Sequence, residues 1–481
     1  MTMRAPSSLG WLLLLVATLV TAAALVGLPA RATYGARTTA DEPQYLLSAL
    51  SLAEDADLDI SDELADRRYR PFHAIELDQQ TFDLDADGQR LSPHDPLLPA
   101  ILAAPMAVGG WPAAKATLAV LAGTLAALTT WIAVRRLHVE PITAAVVVGA
   151  FAMAPPLVSY GSQVYPEVPA ALAVTVAVAA LTGSMSSRAL LAAGAAIVTL
   201  PWLSVKYAAV AAVLAALLVR RSWAVDRART VATVGTLAVL GLVYLAVHQR
   251  VYGGWTVYAA GDHFVDGELE VVGRDPDYLA RSRRLIGLLV DRQFGLAAWN
   301  PAWLIAVPAV GWATAARLPH RWVLVAPLAT GWAVATWVAL TMHGWWWPGR
   351  QVVVVLPLAV LLVAAAADRR VAYRAAAVVG ACLGLAGWIW LSIESHRGHR
   401  TLVVDFFETG YPPYRLWAHL LPDHQRMAGF DWALTALWLA LVGWLLWWGW
   451  RSGRRDQDAG RREGADTDVV ALDLDRGGAV G

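Results

Sequence analysis

Residues 9–45, LGWLLLLVATLVTAAALVGLPARATYGARTTADEPQY, set an uncharged apolar run shortly before an adjacent pair of acids, Asp41-Glu42, and the two together decide how the chain is read. A bilayer crossing needs roughly 20 predominantly apolar residues. Residues 9–29 supply them, behind a short arm carrying Arg4. No persuasive small-x-small cleavage site follows, so a retained span is expected rather than a removed leader. After the acids, Pro43 suits a first helical turn, and apolar residues recur at helical spacing from Tyr45 to Ala53. An amphipathic helix on the membrane surface is therefore expected over residues 43–53. Its amino end gives the acids one ordinary use, because the helix macrodipole stabilises carboxylates there. The other use is chemical, since a carboxylate fixed at a membrane surface can act as a general base. Local sequence leaves both readings open.

Composition decides the setting of that pair. Of 481 residues 57% are hydrophobic and 16% charged, with a mean hydropathy of +0.48, which marks a polytopic membrane protein. Zero formal net charge argues against a nucleic-acid partner, which would call for a basic face. The single cysteine, Cys382, lies in an apolar run, so neither an internal disulfide nor a cysteine-based metal cluster is available. Only two lysines occur, Lys115 and Lys206, which fits a coding bias towards arginine. The twenty-four tryptophans suit helix ends in the interfacial aromatic belt.

Further spans are expected near 112–134, 141–160, 168–183, 188–203, 204–220, 227–248, 296–316, 321–342, 350–367, 371–393 and 431–450. With the amino terminus inside, Arg135-Arg136, Arg188, Arg220-Arg221, Arg317, Arg369-Arg370 and Arg451 all fall on the cytoplasmic side. The stretch from Pro96 to Gly110 is too short for an ordinary span and suggests a re-entrant or interfacial helix. The expected fold is thus all-α: a polytopic transmembrane bundle of about twelve spans with outer juxtamembrane helices. Residues 1–450 form one transmembrane domain with outer loops at 30–95 and 249–295, and 451–481 an irregular, disordered cytoplasmic tail rich in Arg, Asp, Gly and Glu.

The outer loops carry the candidate chemistry. Residues 30–95 hold fifteen acidic and six basic residues. Asp83 to Gly88 imitates the opening of an EF-hand loop, but His94 stands where the bidentate glutamate belongs, so a hairpin around an Asp-Gly turn is expected. Glu54 to Asp59 forms a solvated turn, with cation binding as the minor reading. His94-Asp95-Pro96 opens the short helix, either as a cap or as a polar substrate contact. Tyr165-Pro166-Glu167 puts a carboxylate at membrane depth, as a helix cap or facing a cavity. Lys206 either snorkels to headgroups or meets a phosphate on a lipid carrier. Arg281, Arg283 and Arg284 are expected at headgroups, and Arg292 near a cavity. Arg350 starts an apolar helix from the outer side, against the positive-inside bias, and needs an anionic partner, either bulk headgroups or a carrier phosphate.

No phosphate-cradling glycine loop, G-x-S-x-G elbow or H-E-x-x-H pair is present. A reaction at the outer face cannot draw on cytoplasmic sugar nucleotides, whereas a lipid-phosphate-linked sugar would serve it. In this combination the chain resembles the GT-C glycosyltransferases that use polyprenyl-phosphate sugars, among them protein O-mannosyltransferases and lipid A aminoarabinose transferases. The resemblance rests on the acidic pair after the first span, the flanking helices, His94-Asp95-Pro96 to Gly110, Tyr165-Pro166-Glu167 and Trp347-Pro348-Gly349-Arg350. It implies Asp41 as the catalytic carboxylate with Glu42 as its companion, and inversion at the anomeric carbon. It also implies Lys206, Arg292 and Arg350 as contacts of the carrier phosphate. His94, Asp95, Tyr165 and Glu167 join the expected substrate site.

The expected function is sugar transfer to a glycan, lipid or protein acceptor at the outer face of a plasma membrane, with both termini cytoplasmic. No cofactor is implied with certainty, and a divalent metal stays open. The rival reading is a non-enzymatic transporter or flippase of lipid-linked sugars, which would place charged groups near the midplane and on both faces.

Overall fold

The computed structural model describes residues 8–78, 80, 82–83, 88–260 and 275–477. Helix α1 (Ser8–Leu25) leads into α2 (Glu42–Glu54) and a short α3 (Ser61–Ala65). Strands β1 (Phe82–Asp83) and β2 (Arg90–Leu91) pair antiparallel, with Phe82 opposite Leu91, as the hairpin reading requires. Residues 84–87 of the turn between them lie outside the described residues. Then come α4 (Leu97–Arg136), α5 (Pro141–Ala152), α6 (Leu157–Tyr160), α7 (Glu167–Leu181), α8 (Ser187–Leu203), α9 (Ala208–Trp223) and α10 (Arg227–Tyr252). The second half holds α11 (Tyr278–Arg281), α12 (Arg284–Val290), α13 (Leu296–Trp299), α14 (Ala306–Ala315), α15 (Arg321–Ala333) and α16 (Leu356–Arg369). Helices α17 (Val371–His396), α18 (Pro412–Ala418) and α19 (Gly429–Gly477) complete it.

Among the described residues, helical segments occupy the positions expected of the spans. Six helices among the described residues are long and apolar enough to cross a bilayer on their own, and shorter apolar helices accompany them. Helix α4 contains both the short helix and the second span. They meet at Gly109 and Gly110, where Gly110 has φ 63° and ψ −159°, a conformation that essentially only glycine adopts.

Hydrogen bonds show that the helices alternate in direction. At one end, Arg221 donates to the carbonyls of Leu181 and Gly183, Arg374 to Thr143 at 2.9 Å, and Arg370 to Asp456 at 2.8 Å. The carboxyl ends of α7, α9 and α16 therefore meet the amino ends of α5 and α17. The opposite end gathers the loop after α1, the start of α7, the α8–α9 turn and the start of α16, and it is described below.

Three differences from the expectations have physical causes. Helix α2 does not lie open on a surface: every residue from Glu42 to Ser51 is buried, because the segment beyond it folds back over the side not packed on α4. The interfacial helix near 276–290 is two short pieces. Arg281 and Arg284 do not reach for headgroups there but donate to the carbonyls of Trp337, Ala339 and Leu340, which lie at and beyond the end of a π-helical turn, Val334–Val338. The irregular tail expected from Arg451 instead continues α19 as far as Gly477. No proline follows Pro422, and Asp456 anchors the extension by accepting from Trp312 Nε1 and Arg370, both at 2.8 Å.

Candidate active site

Asp41 stands at the amino cap of α2 yet makes no capping hydrogen bond. Genuine caps elsewhere do: Glu140, Ser186 and Asp226 each accept from backbone N–H groups of the helix that follows. The Asp41 carboxylate instead turns across the bundle. Arg350 Nη2 donates to its Oδ2 at 2.5 Å, and His94 Nε2 lies 3.6 Å from the same oxygen. Oδ1 takes no hydrogen bond or ion pair from the described residues, and the side chain is 19% exposed. Burial acts to raise the Asp41 pKa, but the Arg350 charge and His94 more than offset it and hold the carboxyl well below the usual range.

Arg350 is the hub. Gly349, at φ 85°, turns the chain from the tryptophan-rich loop into a 3-10 segment, Arg350–Val355, that continues into α16. This starts Arg350 8% exposed at the apolar mouth of a helix. Its Nε donates to Glu167 Oε1 at 3.2 Å while Nη2 serves Asp41. The guanidinium also lies over the rings of Tyr165, at 4.2 Å, and Trp346, at 4.8 Å. Glu167, fully buried in the first turn of α7, accepts from Lys206 Nζ at 2.6 Å through the same Oε1. Its Oε2 is buried with no hydrogen-bond partner among the described residues. Tyr160 supports the loop by donating to the Trp347 carbonyl at 2.5 Å.

Glu42, the expected companion carboxylate, turns away from its neighbour. It is fully buried and accepts from Val164 N–H at 2.8 Å and Thr39 N–H at 3.2 Å, with Lys115 Nζ 3.6 Å away. Both oxygens are used inside the protein, so Glu42 ties the loop that carries Asp41 to Val164 and Lys115. Burial raises its pKa, opposite in direction to its neighbour.

His94 faces Asp41 and packs edge-on against Tyr45, with ring centroids 4.5 Å apart. Asp95 is 2% exposed and points the other way, accepting from Val205 N–H and Tyr244 and lying 3.1 Å from His248 Nε2. It ties the Lys206 turn to α10. Arg292 is not brought to the cluster. Its guanidinium is taken by the Leu421 carbonyl and by Asp431 at 3.2 Å, because the segment before α19 folds over it. The structure thus gathers Asp41, His94, Tyr165, Glu167, Lys206 and Arg350, keeps Glu42 and Asp95 as buried anchors behind them, and leaves Arg292 apart.

Lys115, Tyr45, Trp346 and His248 were missed from sequence. One signal was available, because both lysines of the chain stand at this site, each against a buried glutamate.

No protein-family model and no curated protein matches the sequence. Among solved structures, the crystal structure of ArnT from Cupriavidus metallidurans bound to undecaprenyl phosphate superimposes with a TM-score of 0.53. The match covers 96% of this chain and 80% of that one, at 14% identity. The chain has a GT-C-like membrane fold. At that identity the likeness shows architecture alone, and the chemistry rests on the residues around Asp41.

Proposed function

We propose that the chain transfers a sugar from a polyprenyl-phosphate donor to a hydroxyl of a glycan, lipid or protein at the outer face of the plasma membrane. The observation that carries this reading is the sharing of Arg350 between Asp41 and Glu167, with Lys206 on the same Glu167 oxygen. A cation bridging two carboxylates can turn to an arriving phosphate without leaving a buried charge unpaired.

In the resting protein Arg350 suppresses the basicity of Asp41. A carrier phosphate draws Arg350 away from Asp41 while Lys206 stays on Glu167, and Asp41 becomes a stronger base as its partner leaves. Asp41 Oδ1 accepts the proton of the acceptor hydroxyl while that oxygen bonds to the anomeric carbon from the face opposite the phosphate. The bond from the anomeric carbon to the phosphate oxygen breaks, its electron pair leaves with the carrier phosphate, and the cations neutralise the added charge. One displacement inverts the anomeric centre, and the proton ends on Asp41.

An apolar groove of about 460 Å³ between α12, α14, α15, α16 and α19 suits the isoprenoid chain of the donor. It includes Leu356, six residues along from Arg350, together with Leu289, Trp303 and Leu446. The solved ArnT structure holds undecaprenyl phosphate, which agrees with a carrier of this class. A metal ion does not fit the donor set at Asp41, because each carboxylate there already faces arginine or lysine. No step is routed through one.

The test is transfer in proteoliposomes supplied with polyprenyl-phosphate sugars and candidate acceptors, wild type against Asp41→Asn. Loss of transfer in the variant, with carrier binding kept, supports the reading. Transfer retained by the variant, or carrier translocation without transfer by the wild type, overturns it.

A further inference from the structure

At the far end of α2 from Asp41, about 20 Å along the helix at 1.5 Å per residue, lies a cluster the proposed reaction does not use. Asp55 caps the carboxyl end of α2, and Asp62 and Glu63 sit in the first turn of α3. One carboxylate oxygen from each lies within 4.8 Å of the others. Acidic clusters on an exposed turn are ordinary, but this one has a buried wall. Glu63 is 1% exposed, and both of its carboxylate oxygens are buried without a hydrogen-bond partner among the described residues. The nearby guanidinium of Arg68 is engaged by Glu54 at 2.7 Å and does not serve Glu63.

We infer that Asp55, Asp62 and Glu63 form a site for a hard divalent cation of the Ca²⁺ kind. Calcium binds oxygens at about 2.3–2.6 Å, so ligands around one ion stand no more than about 5 Å apart, the spacing found here. Asp55 and Asp62 are exposed and leave the outer side open for waters, which Ca²⁺ accepts in irregular numbers. The bound ion would satisfy the orphaned oxygens of Glu63 and clamp the end of α2 to α3, holding the helix whose other end presents Asp41.

The experiment is equilibrium dialysis of the full chain in detergent micelles against ⁴⁵CaCl₂, after exhaustive chelation. The wild type is expected to bind one ion saturably and to unfold at a higher temperature with Ca²⁺ than with chelator. The isosteric Glu63→Gln should lose this binding. Asp55→Asn, on the exposed rim, should weaken it about tenfold and serves if Glu63→Gln does not fold. Absence of saturable binding by the wild type, or unchanged binding by both variants, overturns the inference. Sugar transfer is not read in this experiment, so its outcome is independent of the function proposed above.

Discussion

The two ends of the helical bundle handle charge in opposite ways. At the arginine-rich end the pairs are open to solvent: Arg370 and Asp456 are 35% and 38% exposed, and Arg229 and Asp226 are more open on average. At the Asp41 end, Glu42 and Glu167 are fully buried, Lys115 is nearly so, and Arg350 is 9% exposed at its side chain. Exposed pairs form readily and contribute little. Buried charges are unfavourable to desolvate and persist only in well-made networks. The Asp41 end keeps such a network and still leaves one oxygen of Asp41 without a partner. That asymmetry points to chemistry at one end and to topology and packing at the other.

The largest expected effect breaks the comparison at its centre. Asp41→Asn should lower the turnover number by roughly 10²–10⁴-fold, the usual weight of a positioned general base. Arg350 retains Glu167, so the melting temperature should move by only a few degrees, checked by thermal unfolding in detergent. If the variant unfolds as the wild type does but transfers normally, the network is structural.

Arg350→Gln sharpens the same point through pH. In the wild type the depressed Asp41 pKa keeps the carboxylate ionised from neutrality to well below pH 4. Its contribution to stability is present above the unfolded value near 3.9 and is lost only as pH falls through the lower folded value. Removing Arg350 leaves burial, which acts upward, opposed mainly by His94. The acid limb of kcat/KM should therefore rise by about 1–3 pH units in the variant. An acid limb that stays in place would detach Asp41 from the rate.

Much of this was legible in the sequence, and the exceptions share a cause. The spans, the short helix before Gly110 and the approach of Asp41, Glu167, Lys206 and Arg350 follow from apolar run lengths and from charges placed against a membrane bias. What sequence could not settle was the direction of each side chain at the end of its element. Asp41 and Glu42 are adjacent, so they point apart on a helix start, and only the fold shows that Val164 N–H and Lys115 claim Glu42 while Arg350 claims Asp41. His94 and Asp95 divide in the same way. The partners of Arg292, Leu421 and Asp431, come from a segment more than a hundred residues later, beyond the reach of local sequence. Charge mixing after Arg451 likewise says nothing of Trp312 and Arg370, which meet Asp456.

Glu42 and Lys115 give a test of intermediate size, aimed at stability. Glu42→Gln strands Lys115 in a buried site and weakens the hold on Val164 N–H, and breaking a buried pair costs about 3–5 kcal/mol. Lys115→Met paired with Glu42→Gln removes both charges and should recover a large part of that loss. Unfolding free energies of the four proteins form a double-mutant cycle with an expected coupling of about 1–3 kcal/mol. If Glu42 only positions the loop, the double variant regains transfer along with stability. Persistent loss of transfer in a stable double variant would return Glu42 to the reaction.

The smallest effect is expected where the comparison says charge is incidental. Arg370→Ala removes the ion pair with Asp456 but leaves Trp312 Nε1 donating to the other oxygen of that carboxylate. The two charged side chains are more than a third exposed, so solvent and salt already screen them, and the loss should be about 1 kcal/mol or less. Raising ionic strength from 0.05 to about 0.5 M should shrink even that difference, because the screening length falls well below 10 Å. Asp456→Ala should cost more than Arg370→Ala, since it also leaves the indole N–H without its acceptor, and salt should not erase that part. Transfer activity should be unchanged in both. A loss of transfer in Arg370→Ala comparable to that in Arg350→Gln would mean that the two ends are coupled through α16, the helix that runs from one to the other.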